Sequence, residues 1–289
     1  MGVAGTELFL AQAIQFQDTG RERVAYRKFG RGEPIVFLHG WPLSSFTFRH
    51  LLPYFVSRFT CYLPDLPGAG DTDWTDATDF TIRGRAETMR NFVDRVGIDR
   101  YVLVGQDTGA TIGRRLALLM GDRVRRLVMT NTEIPGHRPP WIPLYRLLMF
   151  LPGSNAVFRH LVRSDAFVRS PLGFGGCFVD HELLAGEFKD HVIRPLVESR
   201  RRMMGQNRAL RGIQWSEVDR MAEVHGRLRM PVLLVWGEED RTFPIEIARR
   251  MVREFPNCAG ITAIPRSKLL VHEEQAELVS RVIVEFLAE

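Results

Sequence analysis

Six short apolar runs, at 35–39, 60–63, 101–105, 127–130, 230–236 and 259–265, constrain the fold of this chain most. Each is too short for a helix. Runs such as Tyr101-Val102-Leu103-Val104 have no polar residue at alternate positions, the pattern of a strand buried on both faces. Between the runs, apolar residues recur at helical spacing. In 81–96 they are Ile82, Ala86, Met89, Phe92, Val93 and Val96, and Gly97 follows as a helix stop. Further helices are expected at 110–120, 246–255 and 273–287. Buried strands alternating with helices predict an α/β fold with a mostly parallel central sheet flanked by helices. Another strand, 24–29, leads through the turn at 30–34 into the first of the six runs.

The rhythm breaks after Asn131. Residues 134–215 hold Pro135, Pro139, Pro140 and Pro143, many aromatics and short helical stretches, with no clear strand. We expect residues 1–133 and 216–289 to form the core domain, and 134–215 to form a helical cap inserted after the sixth strand.

Of 289 residues, 45% are apolar and 25% charged, which excludes a disordered chain. No apolar run reaches the roughly 18–20 residues of a membrane span, and no signal peptide is evident, so no membrane partner is expected. Cys61, Cys177 and Cys258 are odd in number and far apart, which gives neither a disulfide framework nor a metal-type pair. A reduced, cytoplasmic compartment fits them. The net charge is +5, but only Lys28, Lys189 and Lys268 are lysine, and the arginines are dispersed. Nucleic acid is therefore not an expected partner. One denser group, Arg194, Arg200, Arg201, Arg202, Arg208 and Arg211, reads as a solvated helix face or as a guide for anions. A small molecule is the expected partner, with no cofactor and no metal. The sequence says nothing about oligomeric state.

The strongest chemical signal is Gly105-Gln106-Asp107-Thr108-Gly109, between an expected strand and an expected helix. Glycine at both ends permits a tight, strained turn that lifts the middle side chain above the sheet edge, where a nucleophile would sit. The alternative is a plain strand–helix junction with Asp107 as N-cap. As a nucleophile, Asp107 would attack a carbon electrophile and leave a covalent ester, which suits carbon–halogen bonds and epoxides. A second signal, His39-Gly40-Trp41-Pro42, follows the strand at 35–38.

With these motifs, the loop 65–73, the inserted segment and Trp236–Pro244, residues 23–289 resemble the α/β-hydrolase superfamily. The likeness is to its Asp-nucleophile branch, which includes haloalkane dehalogenases and epoxide hydrolases. The resemblance implies that backbone N–H groups of Trp41 and Thr108 form an oxyanion hole. It puts Asp240 at the acid that orients a catalytic histidine, with Glu133 as the alternative acid. His39, Gln106, Trp141, Tyr145 and Leu269 are expected along the substrate pocket.

The chain departs from the family where the base should be. Alignment puts Leu269 at the catalytic histidine and Lys268 at the glycine before it. His272 lies three residues downstream and reads either as a relocated base or as a solvated residue at a helix start. Dehalogenases of this branch place a halide-binding Trp after the nucleophile and often an Asn at position 41; Thr108 and Trp41 stand here. Epoxide hydrolases use two cap tyrosines, and here the segment holds Tyr145 alone. Two readings follow. One is a hydrolase working through an Asp107 alkyl ester with impaired ester cleavage. The other is a hydrolase-fold protein that binds an apolar ligand without turnover.

Overall fold

The computed structural model describes residues 2–288. Within them eight strands form one sheet: β1 (Gln15–Asp18), β2 (Arg23–Gly30), β3 (Glu33–Leu38), β4 (Phe59–Pro64), β5 (Tyr101–Gln106), β6 (Val124–Thr130), β7 (Val232–Gly237) and β8 (Cys258–Ile264). Their order across the sheet is β1-β2-β4-β3-β5-β6-β7-β8. β2 pairs antiparallel with β1 and β4, and every other pairing is parallel. Strands β4, β5 and β7 are buried along their whole length, in keeping with their mostly apolar sequences.

Register places the chemistry. Leu38 pairs with Gly105, and Gly105 with Met129, so β3, β5 and β6 finish at one edge of the sheet. Thr130 pairs with Val235, which brings the end of β7 to the same edge. His39–Trp41, Asp107, Asn131–Glu133 and Asp240 therefore leave the sheet side by side, in the crevice beyond the carboxyl ends of parallel strands where ligands bind.

Helix α1 spans Gly2–Ala11, α2 Ile82–Val96 and α3 Thr108–Met120. α2 is bounded as its sequence predicts. The Thr81 side chain accepts from the Gly84 N–H at 3.0 Å, and Gly97 ends it at φ 77°. Between β6 and β7 the chain is helical, with α4 (Ile142–Phe150), α5 (Ser154–Arg163), α6 (Arg200–Arg211) and shorter turns. The C-terminal helix α7 is Ala276–Ala288. No helix among the described residues is long and apolar enough to cross a membrane.

Several expectations change. α1 and β1 precede the first anticipated strand. The helix expected at 246–255 is α-helical only over Ile245–Ala248 and tightens to 3-10 over Arg249–Arg253. Helices between β6 and β7 run past 215 to Met221–His225, and that last turn packs on α3. The arginines of α6 are not a free solvated face. Arg202 and Arg208 pair with Asp71 at 2.5 Å and Asp76 at 2.6 Å, and Arg201 and Arg208 lie over the Trp74 ring. They fasten α6 to the loop after β4.

The turn after β5 depends on close backbone approach. A Cβ on Gly109 would lie 2.1 Å from the Leu38 carbonyl oxygen, and one on Gly105 would lie 2.5 Å from Ala110 Cα. Both obstacles are backbone and cannot swing away. Gly109→Ala is expected to cost about 3 kcal/mol through overpacking, read from urea unfolding. An unchanged midpoint would show that β3 yields without penalty.

Candidate active site

Asp107 sits at the β5–α3 junction with φ 50° and ψ −130°, a strained conformation for a non-glycine residue. Strain of this kind raises the side chain off the sheet edge. It makes no N-terminal cap hydrogen bond for α3, so the capping alternative fails. Its Oδ2 accepts from the Trp41 N–H at 2.9 Å, and the Thr108 N–H also bonds the carboxyl. The two backbone donors expected at an oxyanion hole thus both bond the Asp107 carboxyl.

The loop that carries the Trp41 donor is braced from behind. Gln106 Oε1 accepts from the Gly40 N–H at 3.0 Å. His39 Nε2 accepts from the Leu66 N–H at 3.0 Å, so Nδ1 carries the proton, donated to the Gly40 carbonyl at 2.9 Å. Gly40 has no room for a side chain, because a Cβ would lie 2.5 Å from Asp107 Cβ. From the opposite side, the Trp41 indole Nε1–H donates to the Gln206 carbonyl of α6 at 2.9 Å. The Gln206 side-chain amide donates to the Leu43 carbonyl at 3.0 Å.

A cavity of about 140 Å³ opens above Asp107, between the sheet edge and the inserted helices. Trp41, Asp107, Thr108, Glu133, Trp141, Tyr145 and Leu269 all line it, with Phe158, Phe167, Phe174, Trp215 and Phe243 among the aromatic wall. His39 and Gln106 do not. Both were expected along the pocket, but His39 Nδ1 and Gln106 Oε1 bond the backbone of Gly40, beside the Trp41 donor.

Asp240 lies beneath the cavity wall. Asn131 Nδ2 donates to its Oδ2 at 2.6 Å, and the N–H groups of Thr242 and Phe243 donate to Oδ1 at 2.8 and 3.2 Å. Burial pushes its carboxyl up to about 6 despite these donors. The loop carrying Leu269 rests on the Asp240 loop, with the Glu239 N–H donating to the Ser267 carbonyl at 2.9 Å. Leu269 therefore presents an apolar side chain to the cavity next to the acid-bearing loop.

Known proteins share this fold. The family described as alpha/beta hydrolase fold matches residues 33–273. The chain belongs to the α/β-hydrolase family. Haloalkane dehalogenase 2 of Mycobacterium tuberculosis is 27% identical over 271 residues, covering 93% of this chain and 92% of the relative. The soluble epoxide hydrolase of Corynebacterium sp. strain C12 is 36% identical over 114 residues, 39% of each chain. Among solved structures, epoxide hydrolase CorEH matches with a TM-score of 0.80 at 22% identity, covering 96% of this chain and 98% of the other.

His272 is the clearest correction in this α/β-hydrolase. It is neither solvated nor in the cavity. Its ring is fully buried against Phe48, with Nε2 2.7 Å from the Thr47 hydroxyl, and Glu273 beside it pairs with buried Arg49 at 2.9 Å. The turn Val271–Glu274 carries the ring into the core, behind the loop that bears Leu269. Burial pulls the His272 pKa down to about 4, from roughly 6.5 in an unfolded chain. The unfolded state thus takes up the proton first. The contribution of this group is complete above about 6.5 and is lost as pH falls toward 4, at about 1.4 kcal/mol per pH unit. Relative to a His272→Gln variant, the parent should lose stability at that slope in urea melts between pH 6.5 and 4. Parallel pH curves would contradict the buried neutral imidazole.

Sequence reasoning missed the polar cluster around Glu133. Glu133 is buried, and its Oε1 accepts from the Thr108 hydroxyl at 3.0 Å and its Oε2 from Thr111 at 2.6 Å. Burial and the neighbouring Glu133 carboxylate hold Asp107 well above the usual carboxylate range. The signal was present in the sequence, since Asn131, Thr132 and Glu133 are three consecutive polar residues directly after a buried apolar strand.

Proposed function

We propose that this α/β-hydrolase acts on a small, mostly apolar substrate at a saturated carbon bearing a halogen or an epoxide oxygen, through an alkyl ester on Asp107. The observation that supports this most is the Asp107 carboxyl itself. It stands at the floor of an apolar cavity, with its carboxyl held by the Trp41 and Thr108 N–H groups. Held this way, it is positioned to attack a carbon in the cavity. The same donors then stabilise the oxyanion when water adds to the ester carbonyl. Asp240 serves the second half of the reaction from beneath the wall, and the substrate enters as a neutral molecule. The named activities of the relatives are consistent with this chemistry.

The test is intact-protein mass after incubation with 1-bromohexane or 1,2-epoxyhexane, followed by peptide mapping. A mass increase on the peptide containing residue 107, or steady release of alcohol or diol, is the expected result. Leu269 favours a second reading, a binding protein without turnover. Neither adduct nor product, with the ligand still bound, would select that reading.

A further inference from the structure

The helix along one side of the cavity is apolar on its outer side as well. α4 reads Ile-Pro-Leu-Tyr-Arg-Leu-Leu-Met-Phe, with Arg146 its one charged residue. Ile142 and Tyr145 line the cavity. Leu144, Leu147, Leu148 and Phe150 do not line it and are exposed, as are Leu151 just beyond and Val157 on α5. Leu144, Leu147 and Leu148 stand at three- and four-residue spacing, which sets them on one face of the helix. Leu147 is 64% exposed, Phe150 61% and Val157 58%, and α4 and α5 pack against each other. A helix apolar on every side belongs in a core, whereas this one lies at the surface. Single exposed leucines are ordinary, but six large apolar side chains between 144 and 157 form a patch.

The charge around the patch has one sign. Residues 134–164 hold no Asp or Glu, in a chain with 34 of them, yet they hold Arg138, Arg146, Arg159 and Arg163. Arg163 ends α5 and is exposed. α6 packs on both helices and has no acidic residue, and its Arg211 guanidinium lies 4.9 Å from the centre of the Phe150 ring. Two of these arginines are already engaged. Arg138 pairs with Asp219, and Arg159 Nε donates to the Val197 carbonyl at 2.9 Å. The turns Asp165–Arg169 and Arg194–Glu198 also pack on α5 and bring one acid each. Lys189 pairs with Asp165 at 2.8 Å, and the other acid is Glu198. The rim of the patch is therefore basic, with Arg163 and Arg211 its nearest positive groups.

We propose that this face of the inserted segment docks on the surface of an anionic phospholipid bilayer. Leu147, Phe150 and Leu151 enter the boundary between headgroups and acyl chains, and Arg163 and Arg211 meet the lipid phosphates. Docking on one leaflet needs no spanning helix, so the lack of one among the described residues is no obstacle. A second copy of the chain fits the face less well, because a two-fold contact would set its arginines against their own copies. A protein partner also fits less well. Residues 147–152 carry no polar side chain for the hydrogen bonds that such interfaces make. Because Ile142 and Tyr145 of the same helix line the cavity, docking sets the cavity one helix diameter, about 10 Å, from the bilayer.

The test is flotation with vesicles of phosphatidylcholine alone or of phosphatidylcholine with phosphatidylserine. It compares the parent with a Leu147→Glu, Leu151→Glu double variant and an Arg163→Gln, Arg211→Gln double variant. Leu119→Glu, at an exposed leucine of α3 outside the inserted segment, is the control. The parent should bind the phosphatidylserine vesicles at least about tenfold more tightly than phosphatidylcholine alone. The leucine variant should lose at least about tenfold on the mixed vesicles, and the arginine variant should lose the preference for phosphatidylserine. Leu119→Glu should float as the parent does. A parent that floats with neither vesicle overturns the proposal, as does a leucine variant that floats like the parent. An equal loss in Leu119→Glu overturns it too, since net charge alone would then explain the result. A preference undiminished in the arginine variant overturns the anionic-lipid assignment. A parent that self-associates without lipid, and that the leucine variant renders monomeric, gives the face to a second copy instead. If the leucine variant does not fold, Leu147→Ser with Leu151→Ser replaces it under the same criteria. None of the substituted residues lines the cavity, so failure here leaves the Asp107 reading standing.

Discussion

Asp107→Asn is expected to abolish turnover, with a loss of about 10⁴- to 10⁶-fold, the scale seen when a nucleophile is removed. The amide oxygen can still accept from the Trp41 N–H, so that donor stays satisfied while the other oxygen is replaced by a non-nucleophilic nitrogen. No adduct should then appear on the residue-107 peptide with either probe. The same substitution should raise stability by about 1 kcal/mol, because it removes one of two buried carboxyls. Asn also tolerates φ 50° better than most residues. Lost activity together with a raised melting temperature separates a functional residue from a structural one. Residual turnover near the parental rate would mean that another group attacks the substrate.

Leu269→His is expected to accelerate ester cleavage by about 10²- to 10⁴-fold, the range for a positioned general base. The site is prepared for it. Asp240 keeps three donors around its carboxyl, and the 267–269 loop is already pinned to the Asp240 loop through Glu239. An imidazole there would face the cavity on one side and Asp240 on the other, and its charge would draw the Asp240 carboxyl below its present value near 6. Rapid-quench measurement of ester decay, with intact mass as the second readout, follows the effect. The adduct should vanish and steady-state product should rise. A persistent ester in a folded Leu269→His protein would show that position 269 cannot deliver a base to Asp107.

The sheet and the β5–α3 turn were legible because both are written locally. Buried strands such as the one that begins Tyr101-Val102-Leu103-Val104 carry uninterrupted apolar runs, and the glycines around Asp107 answer to a backbone contact that any tight strand–helix turn imposes. Leu269 was legible only through the family resemblance, which aligns it with the catalytic histidine. The polar interior was not. Whether His272 meets water or Phe48 depends on how a turn at the end of the chain meets residues 225 positions earlier. The hydrogen-bonded chain from Glu133 through Thr111, Arg114 and His225 to Glu254 joins α3, the end of β6, the turn Met221–His225 and the segment before β8. Periodicity carries no trace of such partnerships. His39 and Gln106 were recognised as site residues, but a motif does not say which way a side chain points.

The hydrogen bond from the Trp41 indole to the Gln206 carbonyl turns the roof of the cavity into part of its floor. Helix α6 lies above the ligand space, while the amide of Trp41 is one half of the anion cradle below it. A displacement of α6 large enough to admit a ligand pulls on the residue that supplies that amide, and the Gln206 side chain pulls on Leu43 in the same loop. Roof and floor are thus tied through a single residue, and the position of α6 is transmitted to the amide that holds Asp107 Oδ2.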